Sequence, residues 1–295
     1  MRFLLLLVGL SLSLTGRAQN GVVVFQTDFG LKDGAVAAMK GVALGVSTDL
    51  KLYDLTHEIP AYNIWDAAYR LYQTASYYPK GTVFVSVCDP GVGTNRRSVV
   101  MLSESGHYFV TPDNGTLTLV AEQLGVRELR QIDETTNRLP GSQASYTFHG
   151  RDVYAYTAAR LAAKAISYEQ VGPKLTNEVV RLPYQKAELS KGVLKGNIPA
   201  LDVQYGNVWT NIPKELVDQL PAKAGQKLNV QIFQGNRLVY SKAVTLVNTF
   251  GEAAVGSDVA YFNSLLNFSV AINMGDFAKT YNVTSGADWR VTVKP

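Results

Sequence analysis

"TVFVSVCDPGVGTNRRSVV" runs from Thr82 to Val100. An apolar, β-type run halts at an acid, bends through Pro90, Gly91 and Gly93, meets two adjacent arginines and turns apolar again. The bend needs the proline and glycines. It does not need the carboxylate or the guanidiniums, which require a reason of their own. Two upstream segments end in the same way, "VVVFQTD" at Asp28 and "LKLYD" at Asp54. Between the three runs lie an Ala/Gly-rich stretch (33–46) and a stretch with apolar residues at helical spacing (64–77). Alternating strand and helix predicts an α/β N-terminal domain with a mainly parallel sheet. Ligands of such sheets sit beyond the carboxyl ends of the strands, where the three aspartates are expected to converge. A lone Asp there more often caps a helix or starts a turn; three of them, joined by an acid–turn–arginine stretch, favour a site.

Two further polar turns extend this picture. "PDNG" (Pro112–Gly115) precedes one expected helix, and "TFHGRD" (Thr147–Asp152) opens another, whose free N–H groups suit a polar ligand. Past Val180 the pattern changes. Residues 19–182 form the expected N-terminal domain and 183–192 a polar linker. Residues 193–295 carry short alternating runs such as "KLNVQIFQ" and "WRVTVK". These predict a smaller all-β C-terminal domain, a barrel or sandwich. Within it, "LDVQYGNVWTNIP" (Leu201–Pro213) is unusually rich in amides and aromatics for a plain hairpin.

Residues 1–18 combine Arg2, a short apolar run and a Gly16-Arg17-Ala18 cleavage pattern, which reads as a secretory signal and an exported, periplasmic destination. No later stretch is apolar for long enough to span a bilayer. The net charge of +4 over 295 residues, without a basic block, argues against nucleic acid as a partner. The single Cys88 reads as a buried strand residue.

"DPGVGT" lacks the third glycine of a dinucleotide loop and the Gly-Lys-Ser/Thr of a P-loop. His57, His107 and His149 show no metal-ligand spacing, and His107, beside Gly106 in a polar turn, is expected at the surface. No metal is expected. The remaining carboxylates, arginines, tyrosines and amides suit a nucleoside-like ligand, with acid/base chemistry an open possibility.

The order "TDFG", "DLTHEIP", "DPGVGTNRR", "PDNG", "TFHGRD" and "YGNVWTNIP" resembles the S-adenosyl-L-methionine (SAM) hydroxide adenosyltransferases, or SAM hydrolases, relatives of the SAM-dependent fluorinases and chlorinases. The resemblance implies attack of water or hydroxide on the 5′ carbon of SAM, releasing adenosine and L-methionine, with no cofactor. It implies Asp89, Arg96 and His149 as the water-handling trio. Substrate contacts are implied at Asp28 and Tyr62 in the first domain, and at Asp202, Tyr205, Asn207 and Ser264 in the second. Near Ser264 the chain departs from the family's Ser-x-Gly turn, because Leu266 stands where the glycine would be. Arg97 is left to a structural role, pairing with an acid near the turn. Family members are trimers with SAM held between subunits, which makes a homotrimer with inter-subunit active sites the expected assembly. The alternatives are a chlorinase-like halogenase and an exported, non-catalytic nucleoside-binding protein. Fluorinases carry Ser at the position of Gly150 and an extra N-terminal loop not found here, which favours hydrolysis.

Overall fold

A computed structural model describes residues 19–295; the expected leader, residues 1–18, lies outside them. The first domain comprises β1 (Val22–Thr27), α1 (Ala35–Val46), β2 (Lys51–Thr56), α2 (Ile64–Thr74), β3 (Val83–Val87), β4 (Ser98–Leu102), β5 (Tyr108–Pro112), α3 (Thr118–Leu124), β6 (Glu128–Gln131) and α4 (Tyr156–Ala162). Every residue of β1 and β3 is buried. That is why they read as continuous Val/Phe runs: helices cover both faces of the sheet. Alternation along β1 sends Val23 and Phe25 against Met39 and Ala43 of α1 and Leu161 of α4. Val22 and Val24 face Leu71 of α2 and Val120 of α3.

The strand order is β2-β1-β3-β5-β4-β6. The β1–β2, β1–β3 and β3–β5 pairs are parallel, whereas β4 runs antiparallel to both β5 and β6. The sheet is therefore mixed, not mainly parallel as expected. The cause is connection length. Only residues 88–97 join β3 to β4 and only 103–107 join β4 to β5; a parallel crossover needs about a dozen residues or more. The short link after β3 is the acid–turn–arginine stretch itself.

The second domain holds β7 (Glu188–Ser190), β8 (Val193–Ile198), β9 (Ala200–Asp202), β10 (Asn207–Pro213), α5 (Lys214–Val217), β11 (Lys227–Gln234), β12 (Arg237–Leu246), β13 (Asp258–Phe262), β14 (Asn267–Ile272), α6 (Phe277–Tyr281) and β15 (Gly286–Lys294). Its strands form one sheet in the order β7-β8-β15-β11-β12-β13-β14-β10-β9, antiparallel except at β12–β13. The sheet rolls until β8 meets β10, where Asn197 N donates to Asn211 Oδ1 at 2.7 Å. Leu228, Val230, Ile232, Val291 and Val293 fill the interior at alternate positions. Because β7 lies within 183–192, the second sheet begins inside the expected linker.

The two domains share a seam of Trp65, Tyr69, Leu119, Ala200 and Trp209. Trp65 Nε1 donates to the Pro199 carbonyl at 2.9 Å, so the indole is buried without losing a hydrogen bond. Among the described residues no helix is long and apolar enough to cross a membrane.

Candidate active site

Adjacent parallel strands bring the first two acids together. Thr27 at the end of β1 pairs with Val87 at the end of β3, and Asp28 N donates to Val87 O at 3.3 Å. Asp28, one residue on from β1, and Asp89, two residues on from β3, thus emerge from neighbouring strand ends. Asp28 Oδ2 accepts from Tyr62 N at 2.9 Å, fixing Tyr62 in a left-handed conformation with its ring exposed. Asp54 does not join them. Its strand continues to Thr56, and its carboxylate binds Lys40 at 2.6 Å and His57 Nε2 at 2.9 Å.

The charged bend after β3 closes on itself. Arg96 Nε lies 3.0 Å from both Asp89 oxygens, and its terminal nitrogen 2.5 Å from Oδ2. The Asp89 side chain is 5% exposed and that of Arg96 11%. Burial opposes the Arg96 charge, but the bonds to Asp89 outweigh it and raise the guanidinium above its ordinary value. Here is the reason for an acid and an arginine around one turn: a planar fork clamps the carboxylate in place. Arg97 turns away to the fully buried carboxylate of Asp113, which also accepts from Val180 N at 2.8 Å. The structural role expected of Arg97 holds.

His149 comes from the opposite side. It ends the segment that follows β6 and precedes a π-helical turn, Gly150–Ala155, which runs into α4. Such turns recur at functional sites. Here Phe148 packs edge-on against Phe29 with ring centroids 5.8 Å apart. A Cβ at Gly150 would sit 3.2 Å from the Phe29 ring. Asp28, Tyr62, Asp89, Phe148 and His149 line one cleft of about 280 Å³, whose walls all come from the first domain. Arg96 reaches it through Asp89.

Sequence reasoning missed the layer behind His149. Arg138 lies 3.3 Å from His149 Nε2, and Glu134 Oε2 lies 3.5 Å from the same nitrogen and 3.0 Å from Arg138. The other Glu134 oxygen accepts from Ser98 Oγ at 3.1 Å, and Ser98 Oγ accepts from Arg96 at 3.0 Å. Tyr154 OH, 3.2 Å from Ser98 Oγ, completes the group. The only sequence signal was the i,i+4 spacing of Glu134 and Arg138 in a segment that reads as a plain turn.

The hydrogen bond to His149, opposed by burial and assisted by Arg138, lowers the Glu134 carboxyl from 4.5 to about 2. A depressed acid stabilises the fold fully above its unfolded value and loses that contribution as pH falls through its folded value. The stability gap between wild type and Glu134→Gln is thus expected to stay constant above 4.5 and to close as pH drops toward about 2. Urea midpoints across that window check it.

The expected contacts of the second domain sit at the β9–β10 hairpin and in the turn between β13 and β14. Asn207 Nδ2 donates to Asp202 Oδ2 at 3.3 Å across the β9–β10 hairpin, while Tyr205 and Ser264 are exposed. None of the four lines the cleft of Asp28 and Asp89. Leu266 adopts φ 58°, so the loop keeps the left-handed residue that a glycine would favour there. Gly206 is more demanding, with φ 68° and Asp276 Oδ1 only 1.9 Å from where a Cβ would stand. Gly206→Ala is expected to cost about 1–3 kcal/mol of stability, read from urea unfolding, because Asp276 must release the N–H of Lys279 that it caps at 2.8 Å.

His107 is buried, not at the surface: Tyr78 O lies 2.9 Å from Nε2 and Ser105 Oγ 2.8 Å from Nδ1. Cys88 is buried as expected. Among the described residues no three His, Cys, Asp or Glu side chains gather as a metal site. A larger recess of about 420 Å³ at the domain seam is lined by Trp65, Tyr184, Glu122 and Lys186 among others. Its Glu122 and Lys186 pair with each other at 2.5 Å, so it offers no free acid or base. The smaller cleft is the one that gathers Asp28, Asp89 and His149.

Residues 23–172 match the model of the SAM hydroxide adenosyltransferase N-terminal domain, and 196–290 that of the C-terminal domain. The chain is 39% identical over 200 residues to an (R)-S-adenosyl-L-methionine hydrolase of Methanocaldococcus jannaschii, covering 66% of this chain and 68% of that one. It is 35% identical to an (R)-S-adenosyl-L-methionine hydrolase of Salinispora tropica, covering 92% and 97%. A fluorinase of Actinopolyspora mzabensis is 30% identical, also over 92% and 97%. The crystal structure of an uncharacterized conserved protein from Thermotoga maritima superposes with a TM-score of 0.85 at 32% identity, covering 92% of this chain and all of that one. With both halves matched, the chain belongs to the SAM hydroxide adenosyltransferase family.

Proposed function

We propose that this protein hydrolyses SAM to adenosine and L-methionine. The observation that carries the reading is the clamped Asp89–Arg96 pair sharing one cleft with His149 and Asp28. As water attacks, its oxygen bonds to the 5′ carbon and the carbon–sulfur bond breaks. Sulfur takes the electron pair and leaves as neutral thioether, so no acid has to protonate it. The work lies in orienting water and removing its proton. Asp89 keeps acceptor capacity to orient that water by a hydrogen bond: Arg96 makes three contacts to a carboxylate with about four lone-pair sites. Pairing also neutralises Arg96, which alone would repel a sulfonium. Asp28 holds the ribose hydroxyls, as acids at the ends of β-strands do in nucleotide sites.

The cleft alone is small for a ligand with a base, a sugar and an amino-acid tail; sites for such ligands run from about 300 Å³ upward. Asp202, Tyr205, Asn207 and Ser264 of a neighbouring subunit would supply the remaining wall in a homotrimer. We place the mature protein outside the cytoplasm, as its leader suggests, and assign it no cofactor. The similarity to fluorinases keeps halide as a competing nucleophile. Incubating the chain from Gln19 with SAM, without halide and with chloride or fluoride, and separating the products decides between them. Adenosine and methionine under all conditions are expected. A 5′-halonucleoside would replace hydrolysis with halogenation, and no turnover would leave a binding protein.

A further inference from the structure

The shared nitrogen of His149 poses a problem of protons. Arg138 only donates, so a bond from its guanidinium to Nε2 at 3.3 Å requires a bare Nε2 and places the hydrogen of a neutral ring on Nδ1. Glu134 only accepts when ionised, so its contact at 3.5 Å requires a hydrogen on Nε2 and leaves Nδ1 bare. The two arrangements give opposite chemistry. With Nδ1–H the ring can donate but cannot take a proton there; with Nδ1 bare it is a base. Nδ1 is buried without a partner among the described residues, and the ring lines the cleft with Asp89.

We propose that Glu134 is a positioning residue that accepts the hydrogen of His149 Nε2 and so reserves Nδ1 to take the proton of the attacking water. The inference deepens the hydrolase reading and rests on it for its catalytic half. Charge favours Glu134 over Arg138 as the partner. Once His149 is protonated, its neighbours are the Glu134 carboxylate, the Arg138 guanidinium and the Tyr146 ring, and only the carboxylate stabilises an imidazolium strongly. The bond to His149 also keeps Glu134 ionised at working pH. The Arg138 nitrogen near His149 is the one that pairs with Glu134, at 3.0 Å; the guanidinium also stacks 4.6 Å from the centre of the Tyr146 ring, and its other terminal nitrogen is buried without a partner among the described residues. Through Ser98 the same carboxylate is tied to Arg96, so one acid sets the position of groups on both sides of the cleft. In the step itself, Nδ1 gains the proton as oxygen bonds to carbon and sulfur leaves. The imidazolium then releases that proton to solvent.

The test is nitrogen NMR on the ¹⁵N-histidine-labelled full mature chain, which contains three histidines, with His149→Gln to assign the signal. In wild type the neutral His149 ring is expected to carry its hydrogen on Nε2. In Glu134→Gln it should move to Nδ1 as Arg138 takes over Nε2. On SAM the same variant should lose about 10²–10⁴-fold in kcat, the range for general acid–base catalysis, with KM little changed. Glu134→Asp should recover part of both signals. An Nδ1–H ring in wild type overturns the proposal, and that spectrum needs no variant to fold. An unchanged tautomer in a folded Glu134→Met, which keeps no acceptor for Nε2, overturns it too. Because the tautomer is read without substrate, the expected spectra with no SAM turnover would remove the hydrolase reading while leaving Glu134's hold on His149 in place.

Discussion

Asparagine in place of Asp89 is expected to slow adenosine release from SAM by about 10³-fold, within the 10²–10⁴-fold range for removing a group that manages a proton at the reacting centre. Asparagine keeps the volume and one carbonyl acceptor for Arg96, so the bend after β3 should survive. What disappears is the charge. Arg96 then stands as a nearly buried, uncompensated cation behind the cleft proposed to hold a sulfonium. Breaking a buried pair from one side costs about 3–5 kcal/mol, and some of that will appear as lost stability. The double variant Asp89→Asn/Arg96→Met separates the two effects. It removes both charges, so it should recover stability relative to the single variant while remaining inactive. Single-turnover rates with SAM, alongside urea unfolding of all three proteins, give the comparison. A rate for Asp89→Asn within tenfold of wild type would take Asp89 out of the handling of water.

The site was legible in sequence where the chain's local chemistry had no structural use. β1 and β3 are buried on both faces and so appear as unbroken apolar runs, and the acids after them stand at neighbouring ends because parallel pairing puts them there. Asp54 looked equivalent, but the strand that carries it does not stop at the acid, and local charges absorb it. The reversal of β4 was readable only from connection length. Apolar pattern shows that a strand exists and is silent about its direction. His107 looked exposed because its neighbours in sequence are polar, yet the Phe84 ring, 6.0 Å away, and the Tyr78 carbonyl come from elsewhere in the chain. Glu134 and Arg138 were hidden for the same reason. Their partners, Ser98 and His149, are far off in sequence, and a turn rich in Asp, Thr and Asn explains itself locally.

Two inactive variants are expected to regain activity when mixed, if the chain forms the proposed homotrimer with each site built between subunits. The Asp89→Asn chain keeps a sound second domain, and an Asp202→Ala/Asn207→Ala chain keeps a sound first domain. Each homotrimer should be nearly inactive: in the first every cleft lacks its acid, and in the second every cleft faces a wall without its hydrogen-bonding pair. In trimers assembled from an equal mixture, each site joins the first domain of one subunit to the second domain of the next. In the mixed trimers that tandem purification retains, about one site in three then receives both intact halves. Co-expression of the two chains with different tags, tandem purification and SAM turnover should therefore return a substantial fraction of wild-type activity, against about 10⁻³ for the Asp89→Asn parent. If cleft and hairpin instead served the same subunit, no chain in the mixture would carry both, and mixing would restore nothing. The outcome does not depend on how tightly any variant binds SAM, because the rescued sites are wild type in every residue that touches it. The separation of Asp202, Tyr205, Asn207 and Ser264 from the cleft within one chain favours recovery.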